Sequence, residues 1–85
     1  MGEARLTKHL RDVLLSIAQC HRNEEMAYVV SATQKTALGE VNVQTARALW
    51  RRGLVIWDNR LAATYLYPSK AGWKVVFDIE KKAAS

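Results

Sequence analysis

Cysteine and proline are the scarcest of the structure-setting residues in this chain, with one of each among 85 residues, and glycine follows with four. A lone cysteine, Cys20, excludes an internal disulfide, and with no second cysteine a zinc knuckle is excluded too. Cys20 is read as a buried thiol on a helix. Gly39, Gly53 and Gly72 lie too far apart for a phosphate-cradling loop, and a turn or close packing explains each. No apolar run is long enough to span a bilayer. The opening MGEARLTKHL lacks the apolar core of a signal peptide, so a cytoplasmic protein is expected. Leu6 stands where a myristoylation site wants Ser or Thr. Repeats and low-complexity tracts are absent.

Acidic residues are scarce in one half only. Residues 1–42 carry five basic and five acidic side chains, whereas residues 43–85 carry eight basic against three acidic. The whole net charge of +5 therefore resides in the second half. That asymmetry points to an anionic partner, nucleic acid before membrane. At 49% hydrophobic and 25% charged the chain is globular in composition, and its length suits one domain over 1–85, with a core about 7–80.

The excess of charge begins at Asn42–Val55, NVQTARALWRRGLV. Asn42 suits a helix N-cap and Gly53 a C-terminal stop. Val43, Ala46, Leu49 and Trp50 recur at helical spacing and form an apolar stripe, on which Trp50 is assigned to the core, with a partly exposed partner contact as its alternative. At about 100° per residue, Gln44, Ala48, Arg51 and Arg52 fall opposite, with Thr45 and Arg47 on the flanks. Such a face suits a helix lying in a DNA groove, and it equally suits a solvated helix kept soluble by arginine.

Around this helix the remaining elements fall in order. Thr7 caps a first helix to about Gln19, with Leu6, Leu10, Val13, Leu14 and Ile17 as its stripe. Cys20–Glu25 reads as a connector with a turn at Arg22-Asn23, and 26–32 as a short strand or a helix, which periodicity does not separate. Residues 33–38 favour a brief helix, followed by a Gly39-Glu40-Val41 turn, so that with the basic helix a helix-turn-helix is predicted. Leu54–Trp57 and Leu61–Tyr67 are predicted strands around an Asp58-Asn59-Arg60 turn. Pro68 ends the hairpin, and Ser69 caps a last helix from Lys70 to about Lys81 that buries Trp73, Val76 and Phe77, before a frayed tail.

This order, with three of its segments, resembles the winged helix-turn-helix domain, an α+β fold. TARALWRRGLV is similar to the end of a recognition helix running into a wing, WDNRLAATYLY to a two-stranded wing with a polar tip, and YPSKAGWKVV to the approach to a final helix. Pro68-Ser69 replaces the usual Leu-Thr of that last segment, and Trp50 stands where the family often has a polar residue. The likeness spans roughly residues 7–80. It implies a recognition helix over 42–52 in the major groove of double-stranded DNA. Arg47 and Arg51 would address guanine and Gln44 adenine, with Thr45 on a phosphate or base. Arg52 would hold the backbone, Arg60 at the tip of the wing (54–67) the minor groove or its phosphates, and Lys70 and Lys74 phosphates.

The expectation is a sequence-specific DNA-binding regulator of transcription, of prokaryotic or phage type, paired as a homodimer through its first and last helices. The alternatives are a winged-helix adaptor that binds protein and not DNA, and a single-strand binder stacking bases on Tyr65 and Tyr67. His9, His21 and Cys20 have no ligand spacing, and Glu24-Glu25 are only sequential. No catalytic residues, metal, cofactor or small-molecule ligand are expected, and no enzymatic activity.

Overall fold

The computed structural model of the chain describes residues 6–31 and 39–84. Within them lie three helices and a four-stranded sheet: α1 (Lys8–Arg22), β1 (Ala27–Val30), β2 (Glu40–Asn42), α2 (Val43–Arg51), β3 (Val55–Asn59), β4 (Thr64–Pro68) and α3 (Lys70–Ala84). The fold is a small α+β arrangement, and the helix predicted over 33–38 lies outside the described residues.

In α1, Thr7 Oγ1 accepts from the Leu10 amide at 3.1 Å, satisfying an N–H that the helix cannot pair internally. Leu10, Leu14, Ile17 and Ala18 recur every three or four residues and are buried. The helix runs one turn beyond the expected end, because its apolar stripe continues through the buried Cys20. Reversal then falls on Glu24, at φ 60°, where the Glu25 amide bonds back to the Cys20 carbonyl at 2.8 Å. The following apolar stretch is a strand and not a helix: it lies alongside β4 with Ala27 opposite Leu66.

The sheet is mixed, in the order β2-β1-β4-β3. β3 and β4 form the expected antiparallel hairpin, and β1 joins β4 antiparallel. β2 had no counterpart among the expected elements. Gly39, at φ 87°, turns the chain so that Glu40–Asn42 runs parallel to β1 in place of the predicted Gly39–Val41 turn. The hairpin tip also moves. Leu61 is fully exposed, β4 begins only at Thr64, and the turn is closed by the Arg60 amide on the Ala63 carbonyl at 2.8 Å.

One sheet face, carrying Ala27, Val41, Val55 and Leu66, is covered by stripes from all three helices. Leu14, Ile17, Leu49, Leu66 and Val76 are the largest fully buried side chains. The junction of α2, β3 and α3 is unusually tight. The Ser69 amide donates to the Leu54 carbonyl at 2.9 Å, Ser69 Oγ donates to the Gly53 carbonyl at 2.5 Å, and the same oxygen accepts from the Gly72 amide at 3.0 Å. A Cβ at position 72 would stand 1.9 Å from the Leu54 carbonyl oxygen, so only glycine fits. This clamp sets the start of α3 against the end of α2.

Two expectations about α3 are corrected. The helix continues to Ala84 where a frayed tail was predicted from Lys81. Phe77, predicted to be buried, is 55% exposed: it stacks on the half-buried Trp73 at 5.6 Å while the Arg22 guanidinium covers both rings. Arg22 is held there by a two-pronged pair with Glu80, at 2.6 and 2.9 Å. The pair holds the Glu80 carboxyl below its usual range. No helix among the described residues is long and apolar enough to cross a membrane.

Candidate nucleic-acid interface

The candidate surface is built on α2. Asn42 Oδ1 accepts from the Gln44 amide at 2.9 Å and caps the helix, while Gly53 closes it at φ 73° with its amide on the Trp50 carbonyl at 2.9 Å. Ala46 and Leu49 are fully buried and pin the helix to the core. That anchoring leaves Gln44, Arg47 and Arg51 exposed along the other side. Arg47 and Arg51, one turn apart, form no ion pair among the described residues. Two guanidiniums held at helical spacing, with all their N–H groups available, are suited to acceptor-rich anionic ligands.

The other expected contacts are distributed unevenly. Thr45 is half-buried and turned toward α1, where Oγ1 lies 3.3 Å from His9 Nε2. Arg52 is exposed and donates to the Ala48 carbonyl at 3.1 Å, which caps its own helix. Lys70 and Lys74 are exposed on the first turns of α3, beside the Ser69–Gly53 clamp and therefore near the C-terminal end of α2.

Arg60 is drawn back from the hairpin tip. Its Nε donates to Asp58 at 3.0 Å, a terminal nitrogen donates to the Tyr67 hydroxyl at 3.1 Å, and its guanidinium lies 5.6 Å from the Tyr65 ring centre. The Tyr67 hydroxyl also donates to Asp58. That hydrogen bond first, and Arg60 second, hold the Asp58 carboxyl below its usual range. Beside this cluster Tyr28 donates to Glu40 at 2.8 Å, which pushes the phenol pKa upward. The polar side chains named on this sheet face are thus already bonded to one another.

Trp50 is the main correction. Assigned to the core, it is 52% exposed and leans on Trp57 of β3, ring centres 5.9 Å apart at 56°. Its position on the helix is only about 40° from that of the buried Ala46. Periodicity states where a side chain points, and among the described residues only Trp57 is in ring contact with this side chain, which stays half exposed. Arg47, Trp50, Arg51, Trp57 and Asn59 line an open hollow of about 330 Å³. Trp57 and Asn59 were absent from the expected site. The exposed-contact alternative for Trp50, and the adaptor reading's surface patch of Trp50, Trp57 or Tyr67, were the expectations that pointed to this place.

Cys20 is buried, and burial first, with Glu25 nearby second, pushes its thiol pKa up, which disfavours a reactive thiolate. Among the described residues no group of three His, Cys, Asp or Glu side chains is placed to hold a metal. No protein-family model matches the chain, and no curated protein and no solved structure matches it.

Proposed function

We propose that the chain binds double-stranded DNA through α2, as a winged-helix regulator of transcription. One observation carries the reading: Gln44, Arg47 and Arg51 form an exposed row on a capped, well-anchored helix, and both arginines lack a carboxylate partner among the described residues. The charge excess, which begins at this helix, supports it. So does the connectivity, in which the basic helix leads through Gly53 into a hairpin that is itself joined to a strand following α1. In this reading Arg47 and Arg51 meet guanine O6 and N7, Gln44 meets adenine, and Arg52, Lys70 and Lys74 hold phosphates. Thr45 and Arg60, both engaged within the fold, contribute less. A homodimer would double the contact area, and the partly buried Leu6, Val75 and Ile79, between α1 and α3, offer a surface for it.

The test is fluorescence anisotropy with a random-sequence duplex across a salt series. A steep slope is expected, about −0.9 in log affinity per log salt for each phosphate neutralised. Arg47→Ala and Arg51→Ala should each weaken binding to a selected duplex by about 1–3 kcal/mol and relax sequence preference. Lys70→Ala and Lys74→Ala should weaken all duplexes alike and flatten the slope. Affinity and slope unchanged in both arginine variants would remove α2 from the interface.

The exposed Trp50 favours a second reading, an adaptor that binds protein and not DNA, because tryptophan and arginine are enriched where protein contacts concentrate. Duplex binding undetectable even at low salt selects it, and capture of a protein partner that is lost in Trp50→Ala would establish it.

A further inference from the structure

Resting on the DNA reading above, we infer that the hollow between α2 and β3 reads a thymine, set beside the guanine addressed by Arg47 or Arg51, with the Trp50 indole against the thymine methyl group. The inference follows from the polarity of the hollow. Its lining is Arg47, Trp50, Arg51, Trp57 and Asn59, with no carboxylate. Guanidinium groups and indole N–H groups donate and cannot accept. Asn59 brings the one side-chain acceptor, and it is already taken: Oδ1 receives the Trp57 Nε1–H at 3.0 Å and the Thr64 hydroxyl at 2.8 Å. Because an indole N–H only donates, the atom it meets must be the amide oxygen, and the NH2 group is what Asn59 has left to offer.

The side chains of the hollow therefore offer hydrogen-bond donors and an apolar wall, and no free acceptor. In the major groove adenine and cytosine present amino donors, which would find no acceptor here. Guanine presents O6 and N7, and thymine presents O4 with its C5 methyl group. Both keto bases satisfy the donors, and thymine alone also fills the apolar surface. Trp50 is one helical turn beyond Arg47, a rise of about 4.5 Å, close to one base-pair step of about 3.4 Å. A guanine and a thymine on neighbouring base pairs are the step this geometry fits. The 56° tilt and mutual contact of the indoles leave no slot for a base between them, which argues for edge contact over insertion.

The experiment uses the whole chain. Duplexes are selected from a random pool, and the best binder is compared with the same duplex carrying deoxyuridine for thymine at each position in turn, a change that removes only the methyl group. Selected sites should be enriched in adjacent guanine and thymine. At one position uracil should weaken binding about fourfold, as expected for withdrawing one methyl group from an apolar contact. Trp50→Ala should bind thymine and uracil duplexes equally while keeping its salt slope, and Trp50→Phe should keep part of the difference. Selection without such steps, equal binding of both duplexes by the unaltered chain, or a thymine preference that survives in Trp50→Ala would each overturn the inference and leave the DNA reading standing. Absence of any duplex binding would overturn both.

Discussion

Gly72 is the residue with least room for change. The carbonyl oxygen that a Cβ there would strike, 1.9 Å away, belongs to Leu54 and already accepts from the Ser69 amide. Backbone on both sides leaves no flexible side chain to yield. Gly72→Ala should therefore cost about 1–3 kcal/mol, the range for overpacking a close-packed site. Urea denaturation would show this as a lower midpoint with an unchanged slope. Gly53 differs in kind, since open space surrounds it and its φ of 73° alone favours glycine. Both glycines have punctuation roles in the sequence, but only the approach of another backbone separates a crowded one from a left-handed one. Arg60 carries the same lesson. In the sequence it is a cation at a turn, and in the fold Asp58, Tyr67 and Tyr65 surround it, because the ladder sets Asp58 opposite Tyr65 and two residue pairs from Tyr67, on the same sheet face.

Among the elements α2 matters most for function, and its ends are local matters. Asn42 meets its own helix two residues on, and Gly53 follows the last turn, so both signals work without the rest of the molecule. Asn42→Ala should destabilise the fold by about 1 kcal/mol, read as a shift of the urea midpoint. The core face of α1, and Ala46 and Leu49 of α2, were legible for the same reason, as positions of 3.6-residue period on short-range sequence. β2 was not legible, because a three-residue strand exists only through its parallel partner β1, and no local propensity announces such pairing.

At the scale of the whole molecule, two carboxylates, the exposed Glu80 and the half-buried Asp58, hold elements in place. Glu80 joins α3 to Arg22 at the end of α1, and Asp58 holds the hairpin to Arg60 and Tyr67. Both carboxyls sit below their ordinary range when folded, so the unfolded chain binds protons more readily. Their stabilising effect is then complete above the ordinary carboxylate pKa of about 4 and is lost as pH falls through the lower folded values. Denaturation midpoints should be level from neutral pH down to about 5 and decline below about 4. The Asp58→Asn, Glu80→Gln double variant should show a shallower acid decline, and an unchanged acid limb would mean that neither carboxylate contributes. Both pairs are solvent-accessible, which limits their weight against the apolar core.

Several features of this protein were determined by the sequence alone. They are the order of its helices and hairpin, the cap and stop of α2, the direction of its buried stripe and the half of the chain that carries the charge. Each depends on residues within a few positions of one another, where helical spacing and backbone preference suffice. Only the tertiary structure decided that Trp50 and Phe77 stand exposed, that Glu40–Asn42 joins the sheet, that Arg60 is bound inward, and that Trp57 and Asn59 complete a donor-lined hollow with α2. Exposure and partnership depend on what arrives from elsewhere in the chain, and the periodicity of one segment holds no record of its neighbours.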